Sequence, residues 1–279
     1  MEHCAARGGG GTREVTREPA DRQTTKTGAR PKVGLVLQGG GALGAYQAGV
    51  YATLAEGGYE PDWIAGVSIG AVNGAIVAGN PPEQRAQKLR AFWEEITDGV
   101  PAKPFLEGDI LRGVFNGWSA FASIASGVPG FFRPRFPAAW LHPWGTDGAL
   151  SYYDTEPLRD TLIKYVDFDL LNTGPLRYSI GAANIRKGNS VYFDTLQRRI
   201  GPEHIMASAA LPPGFPPIEI EGEHYWDGGV VSNTPLQYLI DWERADDMVV
   251  FQVDLFSARG VMPRSLLDVY ERQKDILYS

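Results

Sequence analysis

The amino-acid sequence predicts an α/β protein in three layers, α/β/α, with a mostly parallel central sheet. Three observations predict it. Val33-Gly34-Leu35-Val36-Leu37 is a short apolar run of the kind buried on both faces of a sheet, and Gly39-Gly40-Gly41 follows at once. The same order of strand, glycine turn and helix repeats at Trp63-Ile64-Ala65, Gly66 to Gly70 and Ala71 to Ala78. Finally, 279 residues with 43% hydrophobic and 21% charged side chains suffice for a large core and are too apolar for a disordered or fibrous chain. Alternating β and α units connect through crossovers that cover both faces of a parallel sheet.

The elements follow in order. Residues 1–31 combine Gly8 to Gly11 with scattered Thr, Arg, Glu and Asp, lack apolar periodicity and are expected to be a disordered tail before a folded domain at 32–279. Leu43, Tyr46, Val50 and Leu54 recur at near-helical spacing until Gly57-Gly58, a C-terminal stop. Asn80-Pro81-Pro82 closes the next helix, and another carries Leu89, Phe92, Trp93 and Ile96 on one stripe. The alternation then dissolves into an aromatic-rich insertion, 100–150, with Phe105, Phe115, Trp118, Phe121, Phe131, Phe132, Phe136, Trp140 and Trp144 amid Gly and Pro. Thr155 is expected to cap a helix through Leu162. Tyr178 to Asn184 and Ser190 to Asp194 read as a hairpin about Lys187-Gly188-Asn189. A short helix from Pro202 to Ala210, strands at Ile218 to Ile220 and Tyr225-Trp226, and a late buried strand at Met248 to Val253 complete the sheet. The periodic segment Leu266 to Leu277 has no breaker after it, so the chain is expected to stop inside a helix.

Charge and cysteine count exclude several roles. With 26 Lys+Arg against 33 Asp+Glu, a net charge of −7, a pI near 5.2 and no basic run, nucleic acid is not an expected partner. The single cysteine, Cys4, cannot form an internal disulfide, and with only His3 beside it no metal site is expected. Met1-Glu2-His3, followed by Arg7, Arg13 and Arg17, does not read as a secretory signal. Ala65 to Gly79 is interrupted by Ser68 and Asn73 and is too short to span a bilayer. The expectation is a cytoplasmic protein able to touch a membrane surface.

Three local features carry chemistry. Gly66-Val67-Ser68-Ile69-Gly70 places a serine on a tight strand-to-helix turn, where its hydroxyl is exposed and the next helix directs its N-terminus at any oxyanion formed there. A plain helix-capping serine is the competing reading; the apolar strand before it and the Ala/Gly-rich helix after it favour a nucleophile. Gly39-Gly40-Gly41-Ala42-Leu43-Gly44 converges backbone N–H groups on an anion. Gly39, Gly41 and Gly44 also satisfy a dinucleotide-binding pattern, but the acidic residue expected to close the second strand is missing: Glu60 and Asp62 precede it. Trp226-Asp227-Gly228-Gly229 reads either as an ordinary Asp-Gly turn or as an acid at a strand end, where α/β folds place ligands. His142, His204 and His224 compete as a base for Ser68, and Asp194 before His204 fits the chain order of an α/β-hydrolase triad. Only two strands precede the serine, however, which is too early for that fold.

The glycine loop, the G-x-S-x-G elbow on the next strand and the distant D-G-G together resemble the patatin-like phospholipases of bacterial type. The segment Ala207-Ser208-Ala209-Ala210-Leu211-Pro212 is similar to the one preceding D-G-G in that family, and the likeness covers roughly Pro31 to Asp254. The resemblance implies a serine acyl hydrolase of lipid esters. Ser68 would be its nucleophile, Asp227 its base in a dyad without histidine, and Gly39, Gly40 and Gly41 its oxyanion loop, with no cofactor. Leu43 stands where many members carry Arg or Lys. On this reading the aromatic insertion is either a satellite core or an acyl-chain cover that also meets the lipid surface. A histidine-dependent esterase, a nucleotide-binding protein and a non-catalytic lipid-binding relative are the alternatives; head group, chain length and oligomeric state stay open.

Overall fold

A computed structural model describes residues 30–98, 126–242 and 248–279. The expected tail, with His3 and Cys4, lies outside the described residues except at its last positions, as do Phe105, Phe115, Trp118 and Phe121 of the insertion. The apolar run after the tail forms β1 (Lys32–Leu37), buried from Val33 onward. It lies between two parallel partners, β2 (Trp63–Val67) and β9 (Met248–Val253). β2 pairs in parallel with β5 (Arg177–Asn184), while β6 (Asn189–Asp194) and β8 (Glu223–Asp227) run antiparallel to β5, and β7 (Ile218–Ile220) closes the far edge against β8. The pleat sends alternate side chains of β1 to opposite faces. Leu35 and Leu37 join Ile64 in a core under α1 (Ala45–Glu56), α2 (Ile69–Ala78) and α3 (Pro82–Thr97), whereas Val36 and Trp63 pack on the other face against Leu239 of α7 (Leu236–Trp242). Helices on both faces of a mostly parallel sheet make the three-layer fold.

The stripe on α3 is as the spacing predicts: Leu89, Phe92, Trp93 and Ile96 are all buried. The hairpin expected about Lys187-Gly188-Asn189 is β5–β6, and the Glu221-Gly222 turn joins β7 to β8 with both residues at positive φ, 54° and 79°. Four expectations need correction. On α1 the buried side chains are Gln47 and Tyr51, with Val50 and Leu54 partly buried, while Tyr46, and Leu43 in the turn before the helix, face out. A polar network captures the helix: Gln47 Nε2 donates to the Gln38 carbonyl, its Oε1 accepts from Asn73, and the Tyr51 hydroxyl bonds Glu60. Thr155 makes no capping bond; Asp154 Oδ1 accepts from Glu156 N at 3.0 Å, and α4 (Glu156–Tyr165) runs past Leu162 because Tyr165 packs on Phe92. The short helix α6 (Pro202–Ser208) stops before Ala210. β9 is an edge strand, so only Val253 of it is buried.

The described part of the insertion divides in two. Phe131 and Phe132 pack with Tyr153 and Phe215 at ring separations of 4.8–6.3 Å, beside a two-stranded pairing of β3 (Arg133–Pro134) with β4 (Tyr153–Asp154). Phe136, Trp140 and Trp144 instead project outward, 97%, 77% and 100% exposed. The chain from Pro31 onward forms one compact unit that includes this segment. Among the described residues no helix is long and apolar enough to cross a membrane.

Candidate active site

The sheet register explains why two distant motifs meet. β5 gives one edge to β6, so β2 and β8 share the other: Val67 is the partner of Gly181 and Asp227 the partner of the next residue, Ala182. β2 runs along β5 and β8 runs against it, so their C-terminal ends abut. Ser68 leaves the end of one strand and Asp227 occupies the end of the other.

Ser68 turns the chain at φ 55°, ψ −125°, a conformation that costs a non-glycine residue on the order of 1–3 kcal/mol and persists only where its surroundings enforce it. Its surroundings are close. A Cβ on Gly66 would lie 2.5 Å from the Gly70 carbonyl oxygen, and one on Gly70 would lie 2.2 Å from that of Leu37, so neither flanking glycine tolerates a side chain. Ser68 N–H donates to Ser208 Oγ at 2.9 Å, and that hydroxyl donates to the Gly181 carbonyl at 2.6 Å, pinning the elbow to β5. Although Ser68 precedes α2, its hydroxyl does not cap the helix; it lies close enough to the Asp227 carboxyl to favour the charged form of that acid. The capping reading is therefore not the observed arrangement.

Asp227 is 2% exposed. Its Oδ1 accepts from Gly229 N–H at 2.7 Å, and its own N–H donates to the Ala210 carbonyl. Burial pushes the carboxyl up to about 7, against the opposing effects of the nearby Ser68 hydroxyl and the Gly229 N–H, because loss of water penalises the charged form most.

Both side chains line one cavity of about 410 Å³ with Gly39, Gly40 and Gly41. Leu43, Ile69, Phe131, Leu211, Phe215 and Phe256 supply most of its apolar wall. The three glycines differ in role. Gly39 is tied at both ends of its peptide to Asn233, whose carbonyl accepts from Gly39 N–H and whose Nδ2 donates to the Gly39 carbonyl at 3.0 Å. A Cβ there would fall 2.2 Å from Asn233 Oδ1. Among the described residues Gly40 and Gly41 find no acceptor for their N–H groups, which leaves two donors beside Ser68 and Asp227.

The competing residues lie elsewhere. None of the described histidines lines this cavity. The His142 ring bonds the Pro137 carbonyl; buried His204 accepts from Gly201 N–H through Nδ1 and packs on Phe193; His224 is half-buried beside Glu219. Asp194 is held by Arg177, Ser179 and Tyr238. Glu60 pairs with Arg85, and Asp62 accepts from Val33 N–H, so the two acids that precede the second strand serve the scaffold.

Several residues of the site carry no strong local signal. Asn233 reads only as part of a cap sequence, and Ser208 only as part of a small-residue segment. Lys274 and Tyr278 come from α8 (Leu266–Tyr278), whose amphipathic pattern says nothing of where it docks.

An elbow serine beside a buried aspartate, with two backbone N–H groups that have no acceptor among the described residues, on a three-layer α/β/α scaffold, is an arrangement able to support acyl transfer. Comparison with known proteins makes the assignment narrower. The family model for patatin-like phospholipase matches residues 35–240, and the chain belongs to that family. An uncharacterized NTE family protein of Mycobacterium bovis is 29% identical over 206 residues, 74% of this chain and 45% of that protein. Lysophospholipase nte1 of Aspergillus terreus is 41% identical over 94 residues, 30% of this chain and 6% of that protein. VipD from Legionella pneumophila superimposes over 80% of this chain and 50% of its own with a TM-score of 0.45 and 17% identity. The chain thus spans less than half the length of these curated relatives.

Proposed function

We propose that the protein hydrolyses acyl esters of lipids through a Ser68–Asp227 dyad. The observation that carries this reading is the meeting of Ser68 with the buried carboxyl of Asp227 at the abutting ends of β2 and β8, inside an apolar cavity that no described histidine lines. Asp227 takes the hydroxyl proton as Ser68 Oγ attacks the ester carbonyl. Gly40 and Gly41 N–H groups hold the resulting oxyanion, where loss of one donor typically costs about 3–4 kcal/mol. Collapse breaks the bond to the alcohol, which leaves with the proton from Asp227. Water then gives a proton to Asp227 and attacks the acyl-enzyme; the fatty acid departs as Ser68 recovers its hydrogen. An aspartate with an ordinary value near 3.9 is a weak base for this step, and the raised value of Asp227 is the correction the chemistry requires.

The acyl chain lies against Ile69, Phe131, Leu211 and Phe215, so the cavity-lining part of the insertion serves as its cover. The outward rings of Phe136, Trp140 and Trp144 supply a lipid-facing surface. A fluorophosphonate probe tests the reading: it should label Ser68 in the native protein, label nothing in Ser68→Ala, and label Asp227→Asn at a small fraction of the native rate, with long-chain ester hydrolysis lost in both variants. Undiminished turnover by Asp227→Asn would sink the dyad; loss of turnover only in His204→Ala or His224→Ala would favour a histidine-dependent esterase.

A further inference from the structure

Asn233 lies buried in the turn that leads from Asp227 at the end of β8 to α7. Its Nδ2 donates to two carbonyls, those of Gly39 at 3.0 Å and Tyr278 at 2.6 Å, so only the nitrogen of the amide can face them. The Gly39 carbonyl belongs to the same peptide unit as the Gly40 N–H. That unit is trans and planar, so its two polar groups point in opposite directions, and holding the carbonyl aims the N–H. The next unit is held likewise: the Gly40 carbonyl accepts from Leu43 N–H at 3.2 Å, which aims the Gly41 N–H. Asn233 also reaches the acid. A Cβ on Gly229 would lie 2.9 Å from Asn233 Oδ1, and Gly229 N–H is the donor to Asp227 Oδ1. One side chain therefore sits against the peptide that carries a free donor and against the turn that holds the carboxyl.

Gln38, which immediately precedes the glycine loop and is 1% exposed, braces this arrangement. Its Nε2 donates to Thr234 Oγ1 at 2.8 Å and to the Tyr278 carbonyl at 3.0 Å. Its Oε1 accepts from Leu255 N–H at 2.6 Å and from Phe256 N–H at 2.9 Å. The glutamine thus fixes the neighbour of Asn233 on one side and, on the other, Leu255, the side chain that a Cβ on Gly40 would strike. Both amides meet their partners inside a low-dielectric interior, where a satisfied polar network is rigid and an unpaired member is costly.

We infer that Asn233, braced by Gln38, is a positioning residue: it aims the Gly40 N–H at the oxyanion and sets that donor's distance from Asp227. This inference rests on the hydrolase reading and adds to it the residue that keeps oxyanion donor and base in register. The test uses two inhibitors on the full chain. Decyl trifluoromethyl ketone adds to a serine hydroxyl and so carries an oxyanion, whereas decyl methyl ketone stays a carbonyl. The native protein should bind the first more tightly. Asn233→Ala should weaken the trifluoromethyl ketone at least about tenfold and lower kcat by a similar factor, with KM and the methyl ketone constant nearly unchanged, because the oxyanion alone needs the aimed donor. Gln38→Met, which leaves Asn233 in place and removes its brace, should move the ratio of the two inhibition constants the same way by less. A merely structural role lowers the folded fraction and leaves that ratio, measured per folded molecule, where it was. An unmoved ratio in Asn233→Ala, or in Gln38→Met should Asn233→Ala not fold, overturns the inference while leaving the hydrolase intact. Equal weakening of both ketones does the same, as does a native protein labelled by phosphonate at Ser68 yet indifferent between the ketones. Absence of both the label and the preference in the native protein overturns the hydrolase reading and the inference with it.

Discussion

Asp227 is the residue whose ionisation the dyad reading makes decisive, and its burial acts in opposite directions on activity and stability. Its carboxyl is raised to about 7 in the fold and titrates near its ordinary value of 3.8 when unfolded. Between those values the folded chain keeps a proton that the unfolded chain has released, so stability falls as pH rises from about 4 to about 7 and is constant above. Catalysis requires the ionised form, so kcat/KM should climb with an apparent pKa near 7. Asp227→Asn removes the titration. Thermal unfolding should show that variant more stable than the native protein at pH 8, with the advantage shrinking as the pH is lowered to 4. A rate limb near an unperturbed ~4, or a pH-independent stability difference, would show that Asp227 is not the buried base described. Ser68 makes the complementary contribution: its positive φ is held by Ser208, Gly66 and Gly70, so both members of the proposed dyad draw on the stability of their surroundings.

At the scale of elements, the glycine loop separates a structural glycine from two free donors. Gly40→Ala would bring a Cβ to 2.5 Å from Leu255 Cδ1, so the loop or the leucine must shift. The expected outcome is a fall in kcat larger than any rise in KM, because the oxyanion exists only in the transition state. Steady-state kinetics on a short-chain ester checks this, and a change confined to KM would remove the loop from the oxyanion site. Titration with NAD or ATP should show no saturable binding, since Glu60 and Asp62 are engaged by the scaffold. The loop and the elbow were legible because each is local: an apolar run, small residues and a helix start lie within one stretch of sequence. The meeting of Ser68 with Asp227 was not readable from spacing, because it depends on two strands sharing one edge of β5; only the resemblance joined them. The outward turn of Leu43 and Tyr46 was misread because apolar periodicity outvoted Gln47, whose buried amide bonds are invisible until Gln38 and Asn73 are in place. The docking of α8 against the cavity had no signal at all beyond its own amphipathic pattern.

At the scale of the whole molecule, the question is how a chain of net charge −7 meets a lipid substrate. Anionic headgroups are not attracted by such a surface, and the described basic residues of the insertion are committed: Arg133 pairs with Asp154, and Arg135 donates to Ser151 and to the Tyr153 carbonyl. What the segment offers is apolar area, through Phe136, Trp140, Leu141 and Trp144, all mostly exposed. Insertion of such rings is favoured by about 25 cal/mol per Å² of apolar surface removed from water and is insensitive to salt screening. Binding to zwitterionic vesicles should therefore persist from low to high ionic strength, as measured by co-sedimentation. The triple variant Phe136→Ser, Trp140→Ser, Trp144→Ser should lose most of that binding and most turnover of vesicle-borne lipid. It should keep its thermal stability and its turnover of a monomeric short-chain ester, because exposed rings contribute little to the core. Phe131→Ser should behave differently, with weaker hydrolysis of long-chain esters even as monomers, since that ring lines the cavity. Vesicle binding unchanged in the triple variant would remove the aromatic face from the lipid interface. Joint loss of stability and of both activities would mean that these rings, despite their exposure, support the fold.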